Sequence, residues 1–142
     1  MIKHPIGIFI SGRGSNLKSI VDACKEKEYP AEIQVVFSNN KNAPGLSFAK
    51  ENNLEAITLD YHNFKNTEEY EEKIISLLKP YDLELICLAG YMKILSKKLI
   101  DHYPNKIINI HPSLLPKYKG LNTHQRVLEN NETKTGCTVH YV

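Results

Sequence analysis

The stretch IGIFISGRGSNL, residues 6–17, holds the transition that decides how this chain folds. IGIFIS, residues 6–11, is a short apolar run with strand character. Gly12 and Gly14 then let the backbone turn sharply. The residues that follow are helical in pattern: Ile20, Val21 and Cys24 stand 3, 4 and 7 positions after Leu17, on one face of a helix. A strand, a glycine turn and a helix in immediate succession are the opening unit of an alternating α/β chain.

The rest of the chain repeats the alternation. EIQVVFS (32–38) reads as a second strand, and APGLSFAKENN (43–53) as a helix with Pro44 in its first turn. EAITL (55–59) is a third strand. In NTEEYEEKIISLLKPY (66–81), Asn66 and Glu69 have capping-box spacing. Glu68, Glu69, Glu71 and Glu72 read as a solvated face near the positive end of that helix. LELICLAG (83–90) is nearly all apolar, as a strand covered on both faces should be. A short helix near 96–102, the strand KIINI (106–110), a helix over 122–130 and a last strand in TGCTVHYV (135–142) complete the series. The order predicts an α/β fold: a Rossmann-like, open, mostly parallel sheet with helices on both faces. At 142 residues the chain suits one domain spanning 1–142.

Composition narrows the function classes. The chain is 42% hydrophobic and 24% charged, with 18 basic and 16 acidic residues and a net charge of +2. That balance implies no broad attraction to nucleic acid or to a membrane. Cys24, Cys87 and Cys137 form no CxxC pair, so neither a zinc site nor a disulfide framework is expected. Cys87 reads as a small buried hydrophobe. Reduced thiols suit a cytoplasmic protein. The apolar run at the N-terminus is too short for a signal sequence or a membrane span.

Two stretches carry chemistry. The first is SGRGSN (11–16), where amides at a helix start can face an anion, and Ser15 and Asn16 add side-chain donors. Leu17 occupies the third glycine position of a dinucleotide fingerprint, and no Walker Gly-Lys-Ser/Thr is present. A small phosphate monoester fits the loop; a purely structural turn is the alternative. The second is NIHPSLLP (109–116). Residues two apart on a strand face the same way, so Asn109 and His111 project together, with Ile108 and Ile110 opposite. Pro112 biases His111 away from helix and ends the strand there. The pair therefore stands at the carboxyl end of a parallel strand, where open α/β sheets bind ligands. An Asn amide can donate to an oxygen gaining negative charge, and a His can carry a proton. Together they suit attack on a carbonyl by an external nucleophile. A buried pair satisfied by backbone is the alternative.

ISGRGSNL, LAGYMKILS, NIHPSLLPKYKGLNTH and GCTVHYV together resemble the glycinamide ribonucleotide transformylases, folate-dependent enzymes of purine synthesis, from residue 6 to the last residue. The resemblance implies the formyltransferase fold and transfer of a formyl group from 10-formyltetrahydrofolate to the amine of glycinamide ribonucleotide. It implies that Gly14, Ser15 and Asn16 hold the ribonucleotide phosphate. Met92, Lys93, Ile94 and Leu95 would border the folate pocket, with backbone contacts to the pterin. Asn109 would hold the formyl oxygen and His111 would be the general acid. No metal, nucleic acid or membrane partner is implied, and a monomer or homodimer is expected. Thr67 stands where the family usually has Arg or Lys, with Lys65 nearby, and Asn122 stands for a family His. In the family a loop with an aspartate that orients the catalytic His follows VHYV, then further strands and a long helix. The 142-residue sequence is expected to lack that part and to be weak or inactive by itself. Two other readings are a non-catalytic ribonucleotide-binding module and a methionyl-tRNA formyltransferase-like domain.

Overall fold

The structure is a computed structural model that describes residues 2–111, 115, 117, 119–120, 122–130, 134 and 136–142. Six strands form one sheet in the order β3-β2-β1-β4-β5-β6. They are β1 (His4–Ile10), β2 (Ala31–Ser38), β3 (Glu55–Thr58), β4 (Leu85–Leu88), β5 (Ile107–His111) and β6 (Thr138–Tyr141). Between them run α1 (Ser15–Cys24), α2 (Pro44–Glu51), α3 (Thr67–Leu78), α4 (Lys97–His102) and α5 (Thr123–Glu129). The first five strands pair in parallel. β6 instead pairs antiparallel to β5, Asn109 opposite His140 and His111 opposite Thr138. Strand alternation predicted parallel neighbours, and the sixth strand departs from that, keeping the sheet mostly parallel.

The apolar pattern divides the core in two. Ile8, Ile10, Val36 and Cys87 face α1 and α2, packing on Leu17, Val21, Leu46 and Ala49. Phe9, Phe37, Ile86, Leu88 and Ile107 face α3 and α4, packing on Tyr70, Ile74, Leu78 and Leu99. Covering both faces explains why β4 is apolar almost throughout. Cys87 is one of the buried hydrophobes of the first layer. Burial pushes its thiol up to about 11.

Some boundaries differ from the pattern for identifiable reasons. α1 stops at Cys24, because the following KEKEY has little to bury and the Lys3 ammonium takes the carbonyls of Cys24 at 2.8 Å and Glu26 at 3.0 Å. β4 proper is shorter than 83–90, yet the Glu84 N–H donates to Pro5 O and the Ala89 N–H to Phe9 O, continuing the pairing on either side. The capping box at α3 is shifted: Asn66 accepts from the Glu69 amide, while the Glu69 carboxyl takes the Lys65 amide.

Glu71 corrects the reading of the acidic run as a solvated face. It is only 2% exposed and accepts from the Ser96 amide at 2.8 Å, the Ser96 hydroxyl and the Leu99 amide at 3.1 Å. It caps the start of α4 from a neighbouring helix, supplying partners to donors that a short helix leaves unpaired. Periodicity within α3 carries no trace of this, because the recipient helix lies 25 residues further on.

Candidate functional site

The strand order reverses between β1 and β4, and ligands of open α/β sheets bind outside the carboxyl ends of strands at such a reversal. A cleft of about 1120 Å³ opens there. Ser15 and Asn16 line it from the start of α1, Tyr91, Met92 and Ile94 from the segment after β4, and Asn109 and His111 from β5. Residues 94 positions apart in sequence, Ser15 and Asn109, thus line one cleft.

The loop before α1 is built for close approach. Gly14 is the N-cap of α1 at φ 74°, a left-handed conformation that favours glycine. Ser15 and Asn16 are exposed, and amides in the first turn of a helix have no partner within it. α2 braces the loop from behind: the Gly45 amide donates to Gly12 O at 3.1 Å. A Cβ on Gly45 would run into Ile10 Cδ1 and lie 3.1 Å from Gly12 O.

Asn109 and His111 share the strand parity of Ile107, while Ile108 packs with the opposite layer, as alternation predicted. Both are half-buried. Pro112, read as the end of this strand, lies outside the described residues. Asn109 Nδ2 donates to His140 Nε2 at 3.3 Å across the β5–β6 pair.

The segment after β4 divides its residues between two jobs. Met92 and Ile94 line the cleft and are 63% and 87% exposed, leaving an apolar surface on its rim. Lys93 and Leu95 turn elsewhere. Lys93 Nζ sits 3.4 Å from the centroid of the Tyr61 ring, within range of a cation–π attraction. Leu95 packs against the layer under α3 and α4. Tyr91 stacks edge-on to Phe9 at 5.2 Å. Burial pushes the Tyr91 phenol well above its ordinary range and the Tyr70 phenol up to about 12. Thr67 Oγ1 is bonded to the Tyr61 hydroxyl, so the position that differs from the family's basic residue serves local structure here. Asn122 caps α5 in a left-handed conformation, φ 55°, and lines the cleft.

Sequence reasoning missed two residues beside this site. Ser11 Oγ donates to Asn39 Oδ1 at 2.6 Å and accepts from the Met92 amide at 2.8 Å, joining three loops. Its signal was its place at the very end of the first strand. His140 left none, because the antiparallel register that sets it against Asn109 is tertiary. Among the described residues, no group of His, Cys, Asp and Glu is gathered closely enough for a metal ion. No helix among them is long and apolar enough to cross a membrane.

The Formyl transferase family model matches residues 5–142, and the chain belongs to that family. It is 46% identical over 137 residues to the phosphoribosylglycinamide formyltransferase of Haemophilus influenzae, covering 96% of this chain and 65% of that protein. Identity to the Escherichia coli protein of the same name is 42%, with the same coverage. The chain thus spans just under two thirds of the length of these curated relatives. The crystal structure of phosphoribosylglycinamide formyltransferase from Brucella melitensis superimposes with a TM-score of 0.95 at 41% identity, over 98% of this chain and 72% of that one.

Proposed function

We propose that this chain carries the ribonucleotide and formyl-donor sites of a phosphoribosylglycinamide formyltransferase, moving a formyl group from 10-formyltetrahydrofolate to the amine of glycinamide ribonucleotide. The observation that carries this reading is the single cleft shared by Ser15, Asn16, Met92, Ile94, Asn109 and His111. The relatives named above favour it over a bare binding module or a tRNA-directed domain.

The residues suit the parts of that reaction. Gly14, Ser15 and Asn16 hold the phosphate, through amides at the start of α1 and two side-chain donors. The exposed Met92 and Ile94 offer apolar surface to the flat pterin of the donor, and backbone of Met92–Leu95 offers hydrogen bonds. The ribonucleotide amine attacks the formyl carbon, forming a C–N bond. Asn109 donates to the formyl oxygen as charge grows on it. His111 moves a proton to the departing N10 as its bond to the formyl carbon breaks, and the proton that the amine gives up goes to the imidazole, restoring His111. No covalent bond to the protein is needed.

The test pairs binding with transfer. Calorimetry should show glycinamide ribonucleotide binding that Ser15→Asp nearly abolishes, because like charge then faces the phosphate. In a version completed with a family C-terminal segment, formyl transfer should fall about 100-fold or more in His111→Ala, the ordinary scale for a lost proton carrier, with affinities little changed. Equal ribonucleotide affinity in Ser15→Asp, or equal transfer by His111→Ala, overturns the corresponding assignment.

A further inference from the structure

We propose that His140 is a positioning residue for Asn109, and that the Tyr141 carbonyl, by selecting the His140 tautomer, sets which end of the Asn109 amide faces the cleft. The inference rests on the reading of Asn109 as donor to the formyl oxygen. The two residues stand directly opposite each other across the antiparallel β5–β6 pair. His140 Nδ1 lies 3.1 Å from Tyr141 O, and His140 Nε2 lies 3.3 Å from Asn109 Nδ2. His140 is not part of the cleft wall, whereas Asn109 is.

The polarity of this chain of contacts is fixed at one end. A backbone carbonyl only accepts, so the nitrogen facing it, Nδ1, carries the proton. The neutral ring then presents a lone pair at Nε2, and a lone pair needs a donor. The two ends of a primary amide have nearly the same shape, so its partners decide which end goes where. Nδ2 satisfies Nε2; Oδ1 in its place would set two acceptors against each other. The Asn109 nitrogen has two N–H groups, and His140 takes one. The other is held in place for an oxygen in the cleft. A donor fixed in advance stabilises developing charge better than one that must rotate into position.

His140 thus acts through Asn109 without touching a ligand, and this separates it from a residue that merely packs. His140→Phe keeps the ring volume and removes the acceptor. It is expected to lower kcat about tenfold, short of the ~100-fold for deleting an oxyanion donor outright, with little change in KM for either substrate. His140→Gln, which restores an acceptor oxygen, should recover part of the loss. Because His140 acts through Asn109, the double variant Asn109→Ala/His140→Phe should be no slower than Asn109→Ala alone. Nitrogen-15 NMR of the imidazole should show the Nδ1–H tautomer, and the Asn109 side-chain amide signals should shift in His140→Phe.

Wild-type kcat in His140→Phe, additive losses in the double variant, or an Nε2–H tautomer would each overturn the proposal. If a chain completed with the family's C-terminal segment transfers no formyl group, the proposed function is what fails. The tautomer and the Asn109 amide shift still decide the relay, since neither depends on turnover.

Discussion

The hydroxyl of Ser11 accepts a hydrogen bond from the Met92 amide at 2.8 Å, tying the end of β1 to the segment that follows β4. Ser11 also donates to Asn39 and its carbonyl accepts from Asn40 Nδ2, so one residue fixes the spacing between the glycine loop and the apolar rim of the cleft. Ser11→Ala leaves the Met92 amide and the Asn39 oxygen without this partner. The expected cost is about 0.5–1.5 kcal/mol in urea denaturation, the scale for a hydrogen bond whose partners can turn to water. Ligands on both sides of the cleft should bind more weakly, since Ser11 sets the distance between them. Unchanged affinity for both would show that the tie does not govern the cleft.

Gly45 controls the glycine loop from behind. Gly45→Ala drives a methyl group into Ile10 and against the carbonyls of Gly12 and Arg13. Overpacking of this kind costs about 1–3 kcal/mol and displaces whichever neighbour yields. The yielding neighbour here is the loop, because Ile10 is fully buried. Calorimetry should show ribonucleotide affinity falling in Gly45→Ala by more than affinity for the folate donor. Equal losses for the two ligands would place the effect elsewhere.

The buried Glu71 carboxyl is the cap of α4, and Glu71→Ala should therefore destabilise the fold by about 2 kcal/mol or more. Glu71→Gln keeps one acceptor oxygen and should lose less. Hydrogen exchange should speed up in α4 more than in α2. A variant as stable as wild type would refute the cap.

Alkaline stability follows from Cys87. Its thiol, ordinarily 9.0, is held up at about 11 in the folded chain by burial. The folded state therefore favours the protonated form, and its stability is intact below pH 9 and lost as pH rises toward 11. Tyr70, raised from 10.0 to about 12 mainly by burial, acts in the same direction one unit higher. Thermal midpoints should fall steeply between pH 9 and 11 in wild type. Cys87→Ala should start lower at pH 7, because a buried side chain is truncated, and decline less over that range. Parallel declines would exclude the thiol.

The layers of the fold were legible because the central strands had to be apolar on both sides and each helix on one. Ile8, Phe9 and Ile10 name three successive core contacts by alternation alone. The shared direction of Asn109 and His111 followed from the same period of two. Direction within an element is a local property, and the sequence carries it. What joined separate elements was not legible. Nothing local to Glu71 announces the start of α4, and nothing local to His140 announces Asn109. The split of Met92 and Ile94 from Lys93 depends on where Tyr61 lies, and Tyr61 comes from a different connection. Strand β6 shows the same limit: its presence was readable, its antiparallel direction and its start at Thr138 were not.

The most direct measurement is the map of amide shifts in nitrogen-15-labelled chain titrated with glycinamide ribonucleotide and, separately, with a tetrahydrofolate donor. The ribonucleotide should perturb Gly12–Asn16 most strongly and the donor Met92–Leu95, and both should reach Asn109 and His111. Perturbations centred instead on the hollow between α2 and β3, lined by Lys41, Lys50 and Thr58, would contradict it, as would two ligands whose footprints share no residue at the end of β5.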